Sequence, residues 1–328
     1  MNSPAKLSVA PLDAVGDEQW DDVVTDSDAG WPFALAAWQR MIVSVQEWGL
    51  SDYSFALIAD AHPLAVMPLQ FNRHTRVMSS SGWGCSGPVI RNGLPARVNK
   101  HVTAQALAHA ESAARAAGAI RVEFCLSSVT QQSLAQNWGV NPYLFFGYDD
   151  RSALSQVIDL TVSESRLWRG LSESARQAVS KARSVGIAAD RVDWHPFLET
   201  YYQIHRTNYA RTGVEPHPRR YFEGIAETLG KRGHSVLFLA RSADGEPLGF
   251  HNSVRFGGGA WYHTGCSLPA ALASGTNYLL FWTAIENARA AGCRWYDCGV
   301  VEYEYYPTGH DRICFGKWHH SACDLCGR

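Results

Sequence analysis

The chain has 328 residues, 46% of them hydrophobic and 18% charged, and a net charge of -2. That length is about twice a typical domain, so two domains are expected and a small disulfide-stapled scaffold is excluded. The charge excludes a global basic footprint for nucleic acid, leaving only local contacts with RNA. The start, Met1-Asn2-Ser3-Pro4-Ala5-Lys6-Leu7, lacks an apolar core of signal-peptide length, and no apolar run reaches the roughly 18 residues of a membrane span. A cytoplasmic protein with reduced cysteines is the expectation.

In chain order, helical spacing over 38–45 precedes strand alternation over 54–59 and 64–71, with His62-Pro63 as the turn between the strands. Residues 79–88, rich in Gly and Ser around Trp83 and Cys85, read as a structured loop. An Ala-rich helix over 102–117 closes at Gly118, and 121–126 reads as a buried strand. Near Asp149-Asp150-Arg151 a related order begins again. Ser172 caps a helix whose apolar positions Ala175, Ala178, Val179, Ala182 and Val185 end at Gly186; its other face carries Arg176, Lys181 and Arg183. Helices over 196–209 and 220–229 lead into strands over 235–241, 247–256 and 260–266, with turns at Asp244-Gly245 and Gly257-Gly258-Gly259. A helix over 276–291 and a strand over 294–298 follow.

Helices, an antiparallel meander, then helix and strand is the element order of the acetyltransferase-like fold. The expected class is α/β with mixed sheets in two tandem GNAT-like domains. Their expected bounds are 1–150 and 151–328, the second carrying the donor groove and the last residues able to return to the first lobe.

Five segments carry a family resemblance. Leu171 to Ala182 with Gly186-Ile187 resembles the Arg-x3-Arg/Ser-Lys-Ala-x3-Gly-Val segment of Fem-type peptidoglycan bridge transferases, and Thr207 to Gly213 resembles their Thr-x3-Arg-x-Gly turn. Trp261 to Ser267 is similar to their Tyr-Tyr-x-x-Gly-Ala-Ser strand, and Asn277 to Trp282 with Ala284-Ile285 to their Leu-Leu-x-Trp-x-Ala-Ile helix. Trp295-Tyr296-Asp297-Cys298-Gly299 stands where that family has Tyr-Asp-Phe-Gly-Gly. The chain departs from the pattern at Phe315-Gly316-Lys317, where the family has Phe-Lys, and it lacks the long helical arm of some members. The resemblance implies transfer of an amino acid from aminoacyl-tRNA to an amine of a cell-wall precursor or small metabolite, with no bound cofactor.

The donor can also be argued physically. Acetyltransferases that use coenzyme A cradle its pyrophosphate in a Gly-rich, Arg-bearing loop at a helix N-terminus. Ala273-Ser274-Gly275-Thr276-Asn277 has one Gly and no Arg, which favours a donor anchored elsewhere, such as a tRNA acceptor stem or a carrier-protein arm. A thioester on coenzyme A or a carrier protein is the alternative donor, and a non-catalytic GNAT-like module that binds RNA or protein is the alternative to an enzyme. Attack by an amine on an activated ester needs a desolvated nitrogen, close approach and donors for the oxyanion. Asp297 can accept a proton or cap the loop after it, and Lys317 is the candidate cation for phosphate or oxyanion. Substrate contacts are expected from Arg211, Tyr262, His263, Asn277, Tyr303 and Tyr305, and tRNA phosphate contacts from Arg176, Lys181 and Arg183. The pattern His319-His320-x2-Cys323-x2-Cys326 has zinc-ligand residue types packed within eight residues, too close for two separated ligand pairs, so no metal is expected.

Overall fold

A computed structural model describes residues 7–80, 87–135, 141–150, 153–301 and 318–324. The chain divides into two compact units, 1–156 together with 300–328, and 157–299. Both are mixed α/β, and among the described residues no helix is long and apolar enough to cross a membrane.

In the first unit one antiparallel sheet joins Ser8–Pro11, Phe55–Ala59, His62–Met67 and Val89–Ile90. A second set runs Leu50–Asp52, Gln70–Asn72, Val77–Ser79, Arg121–Leu126 and Trp318–Asp324, and the last of these also pairs with residues 153–155. Val77–Ser79 and Arg121–Leu126 are parallel, and the helix Ala96–Ala116 makes the crossover between them. Its buried positions Val102, Ala106, Leu107, Ala110 and Ala114 recur at helical spacing and pack on Met67, Met78, Val122 and Phe124.

The first hairpin differs from expectation. Its turn is at Asp60 and Ala61, both at positive φ, 48° and 66°, the geometry that matches the twist of paired strands. His62 and Pro63 therefore belong to the returning strand, and a register shift between Leu57 and Ile58 lies next to Pro63, which has no N–H to give the ladder. The single strand expected over 64–71 is two strands that pair in different sheets.

The second unit orders its strands Ala188–Val192, Ser235–Arg241, Pro247–Phe256 and Gly259–Ser267 antiparallel, with Trp295–Val301 parallel to the last. The crossover is the helix Thr276–Ala290. Together with Glu173–Ser184 it buries Leu279, Leu280, Ile285, Val179 and Ala182 against Val236, Phe238, Ala260 and Tyr296. Tyr201 of the helix Trp194–Thr212 meets Phe222 of Arg219–Ile225 and Phe250 of the sheet at ring distances of 4.9 and 5.3 Å. Strands buried on both faces read as continuous apolar runs, as Ser235–Arg241 does. Each unit thus contains a parallel strand pair bridged by one long helix, the arrangement of a tandem GNAT architecture.

Candidate active site

The site lies in the second unit where two parallel strands part. Gly259–Ser267 and Trp295–Val301 pair only at Gly259 with Trp295, Ala260 with Tyr296 and Trp261 with Asp297. Among the described residues the two strands pair no further past Trp261, and a parallel pair that diverges in this way is where the carbonyl of an extended chain can approach backbone N–H groups.

One strand facing this slot carries a bulge. Asn252 pairs with Thr264 and Ser253 with Tyr262, which makes His263 the extra residue. Tyr262 goes to one face, with ring distances of 4.8 Å to His251 and 4.9 Å to Phe281. His263 goes to the other, with Nε2 2.7 Å from the Tyr221 hydroxyl. Across the slot, Gly299 has φ +108°, and a Cβ there would lie 3.9 Å from the Tyr262 ring. Asp297 is fully buried and its Oδ1 accepts the Gly299 N–H at 2.8 Å, so the carboxylate shapes the turn where the strands diverge.

The loop before the helix Thr276–Ala290 is tied to the helix Glu173–Ser184, whose first turn is capped by Ser172 accepting from the Ala175 N–H at 3.1 Å. Gly275 has φ +81°, and a Cβ there would sit 2.2 Å from the Ala178 carbonyl oxygen, so only Gly permits this approach. Lys181 Nζ donates to the Ala273 carbonyl at 2.8 Å. The loop itself contains no cation, but the structure supplies one from the neighbouring helix. Asn277, at the start of the crossover helix, donates to Ser267 Oγ at 3.3 Å.

The other expected residues scatter. Arg176 donates to the carbonyls of Arg169 and Leu171, pinning the preceding segment. Arg183 lies 3.9 Å from Glu286. Arg211 is exposed near the end of its helix, where Nη2 donates to Asn208 Oδ1 at 3.3 Å. Tyr303, Tyr305 and Lys317 lie outside the described residues. The backbone of Trp318–Asp324 carries His319, His320 and Cys323 in a strand, Cys326 lies outside the described residues, and no group of three metal-ligating side chains occurs among the described ones.

Sequence reasoning missed a buried polar chain behind His263. Trp194 Nε1 donates to Ser235 Oγ at 2.9 Å, and Ser235 donates to Asn252 Oδ1 at 2.7 Å. Asn252 Nδ2 then faces His263 Nδ1 and Thr264 Oγ1, each at 3.3 Å. Because an indole N–H can only donate, this order makes His263 Nδ1 an acceptor and puts its proton on Nε2, toward Tyr221. The signal was present in the sequence: His251, Asn252 and Ser253 are consecutive polar residues in the middle of an otherwise apolar strand.

Burial keeps the histidine rings, the Tyr262 phenol and the Cys298 thiol uncharged. It pushes His251 down to about 3, and with the nearby His217 it does the same to His263. Burial, with Cys266 and Tyr209 adding to it, raises the Tyr262 phenol to about 12. Burial and then Asp297 raise Cys298 to about 12, so it is a packed thiol rather than a nucleophile. A slot between diverging strands, lined by neutral rings, suits a neutral amine meeting an uncharged carbonyl.

Residues 169–306 match the family model described as the acetyltransferase (GNAT) domain. The fold is similar to that of FemX, at 16% identity over 97% of this chain and 96% of that one, with a TM-score of 0.67. It is similar to the C-terminal domain of a putative lysylphosphatidylglycerol synthetase from Agrobacterium fabrum, at 14% identity, 97% and 93% coverage and a TM-score of 0.59. It also resembles a tandem GNAT protein from the clavulanic acid biosynthesis pathway, at 11% identity, 98% and 99% coverage and a TM-score of 0.57. No curated protein matches the chain. The chain therefore carries a GNAT acetyltransferase domain within a tandem GNAT fold.

Proposed function

We propose that this protein is an N-acyltransferase that moves an aminoacyl group from aminoacyl-tRNA to a primary amine of a cell-wall precursor or small metabolite. The observation that carries the reading is the slot past the Trp261 and Asp297 pair, opening inside the GNAT domain beside the neutral Tyr262 and the Gly299 turn. The likeness of the fold to FemX and to a lysylphosphatidylglycerol synthetase domain fits aminoacyl transfer.

In this reading the acyl ester enters the slot with its carbonyl oxygen toward backbone N–H groups of the diverging strands, which stabilise the oxyanion as it forms. The acceptor nitrogen attacks the carbonyl carbon. The bond to the ribose oxygen then breaks, and that oxygen leaves with the proton the nitrogen loses. An activated ester needs no strong base, so exclusion of water by Tyr262 and the rings around it, together with alignment of the amine, carries most of the catalysis. Lys181 and the N-terminal end of Thr276–Ala290 would hold a phosphate of the donor. Lys317, proposed as the cation for phosphate or oxyanion, and Tyr303 and Tyr305, proposed from the Tyr-rich loop after Asp297 to line the acyl slot, belong to the same reading and lie outside the described residues.

The same Lys181 placement suits the pyrophosphate of coenzyme A, so an acyl-CoA donor is the second reading. Purified protein would be given labelled aminoacyl-tRNA, and separately acyl-CoA, each with a panel of primary amines. Label passing from RNA into a hydrolysis-resistant amide is expected. Amide formed only from acyl-CoA would overturn the choice of donor, and amide from neither would overturn the enzyme.

A further inference from the structure

The first unit contains a cavity of about 700 Å³, within the range of drug-sized ligand pockets, that acyl transfer in the second unit does not use. Its lining is chemically uneven. Asp28 and Asn92 satisfy each other, the Asn92 amide donating to Asp28 Oδ1 at 3.0 Å and accepting the Asp28 N–H at 3.1 Å. Arg91 is held by Asp22 and Asp26. Lys100, exposed, forms no ion pair or hydrogen bond among the described residues, so its ammonium is available to an anionic group at that end of the lining. Ala96, also in the lining, is the first residue of the long helix Ala96–Ala116, whose N-terminal end has no side-chain cap and adds positive potential.

Two further observations point to an occupant. Ser127 borders the cavity at 7% exposure, and its hydroxyl has no protein partner among the described residues, so it can hydrogen-bond a molecule held there. Phe145 is 74% exposed at the same cavity, beside Phe146. Tyr143 lies so close to Gly87 that a Cβ there would fall 1.6 Å from the phenol oxygen, so the wall is built on a bare backbone. Ring faces, one free ammonium and an unmatched hydroxyl make a coherent receptor.

We propose that this cavity binds a small molecule in which a flat ring carries an anionic group, the anion set at Lys100 and the helix end, the ring against Phe145 and Phe146, and a polar edge at Ser127. A nucleoside phosphate and an aryl carboxylate share that chemistry. Binding here is independent of the acyl-transfer reading and is measured without turnover.

Calorimetry on the full chain would compare cytidine monophosphate with cytidine, 4-hydroxybenzoate with its amide, and inorganic phosphate alone. One of the two anionic probes should bind at one per chain, roughly tenfold or more tighter than its neutral counterpart and than phosphate, the size of one charge-assisted contact. Which of them binds identifies the source. Lys100→Met should abolish that preference, and Phe145→Ala should weaken charged and neutral forms alike. Ser127→Ala should bind several-fold more weakly while melting close to the parent, since its hydroxyl has no protein partner among the described residues. The proposal is overturned if neither anion outbinds its neutral partner, if phosphate alone binds as well, or if Lys100→Met leaves the affinity of the preferred anion unchanged.

Discussion

Gly275→Ala tests how the donor loop is held. At φ +81° an L-residue costs about 1–2 kcal/mol in backbone strain, and a Cβ 2.2 Å from the Ala178 carbonyl oxygen forces two helices apart at about 1–3 kcal/mol more. The sum is about 2–5 kcal/mol. Gly292→Ala is the matched control, since Gly292 has φ +82° but nothing within 4 Å of its would-be Cβ, and only the backbone cost applies. With a urea dependence of about 2 kcal/mol per molar, the control should lower the unfolding midpoint by about 0.5–1 M and Gly275→Ala by about 1–2.5 M. Tryptophan fluorescence follows the transition, because Trp282 lies in the helix that would shift. Equal losses in the two variants would refute the close approach and the tethered loop built on it.

Asp297→Asn keeps an oxygen for the Gly299 N–H and should retain stability, whereas Asp297→Ala strands that buried donor and should cost about 1–3 kcal/mol; full activity in the Asn variant would assign Asp297 to shaping the turn, and loss of activity in a stable Asn variant to proton transfer. Lys181→Met should raise KM for the donor about tenfold with kcat held, read by initial rates; an unchanged KM removes Lys181 from donor binding. Stability should fall with pH below 6.5, because His251 is held neutral in the fold while the unfolded chain takes up a proton. The His251 contribution is fully present above 6.5 and lost progressively toward about 3, at a slope of about 1.4 kcal/mol per pH unit, and His251→Asn should flatten urea midpoints taken between pH 7 and 5. Nitrogen NMR should find His263 with its proton on Nε2, and Trp194→Phe should disturb that preference; a proton fixed on Nδ1 would reverse the direction of the buried chain.

The second unit was the more legible half. Its meander, both long helices and the final strand fall within a few residues of where periodicity and Gly turns put them, because each strand is apolar and each helix has one buried face. Ala188–Val192 escaped notice because it is an edge strand with Asp190 and Arg191 both exposed, and such charged edges carry no apolar alternation. The hairpin turn was misplaced because Pro63 reads as a breaker, while the positive φ of Ala61 has no sequence signature. The five motif segments land on the capped helix, the helix ending at Gly213, the bulged strand, the crossover helix and the diverging strand. What the letters could not give was contact across long separations, such as Lys181 with Ala273 or His263 with Tyr221 and Asn252.

The strand Trp318–Asp324 sits between residues 153–155 and Arg121–Leu126, in the sheet of the first unit. On the ribosome the earliest-made half therefore waits for a piece translated after the whole of 157–299 has emerged. The second half is free to fold first, and a chain cut short before Trp318 would leave Arg121–Leu126 with a bare side, ready to recruit a stray strand from another molecule.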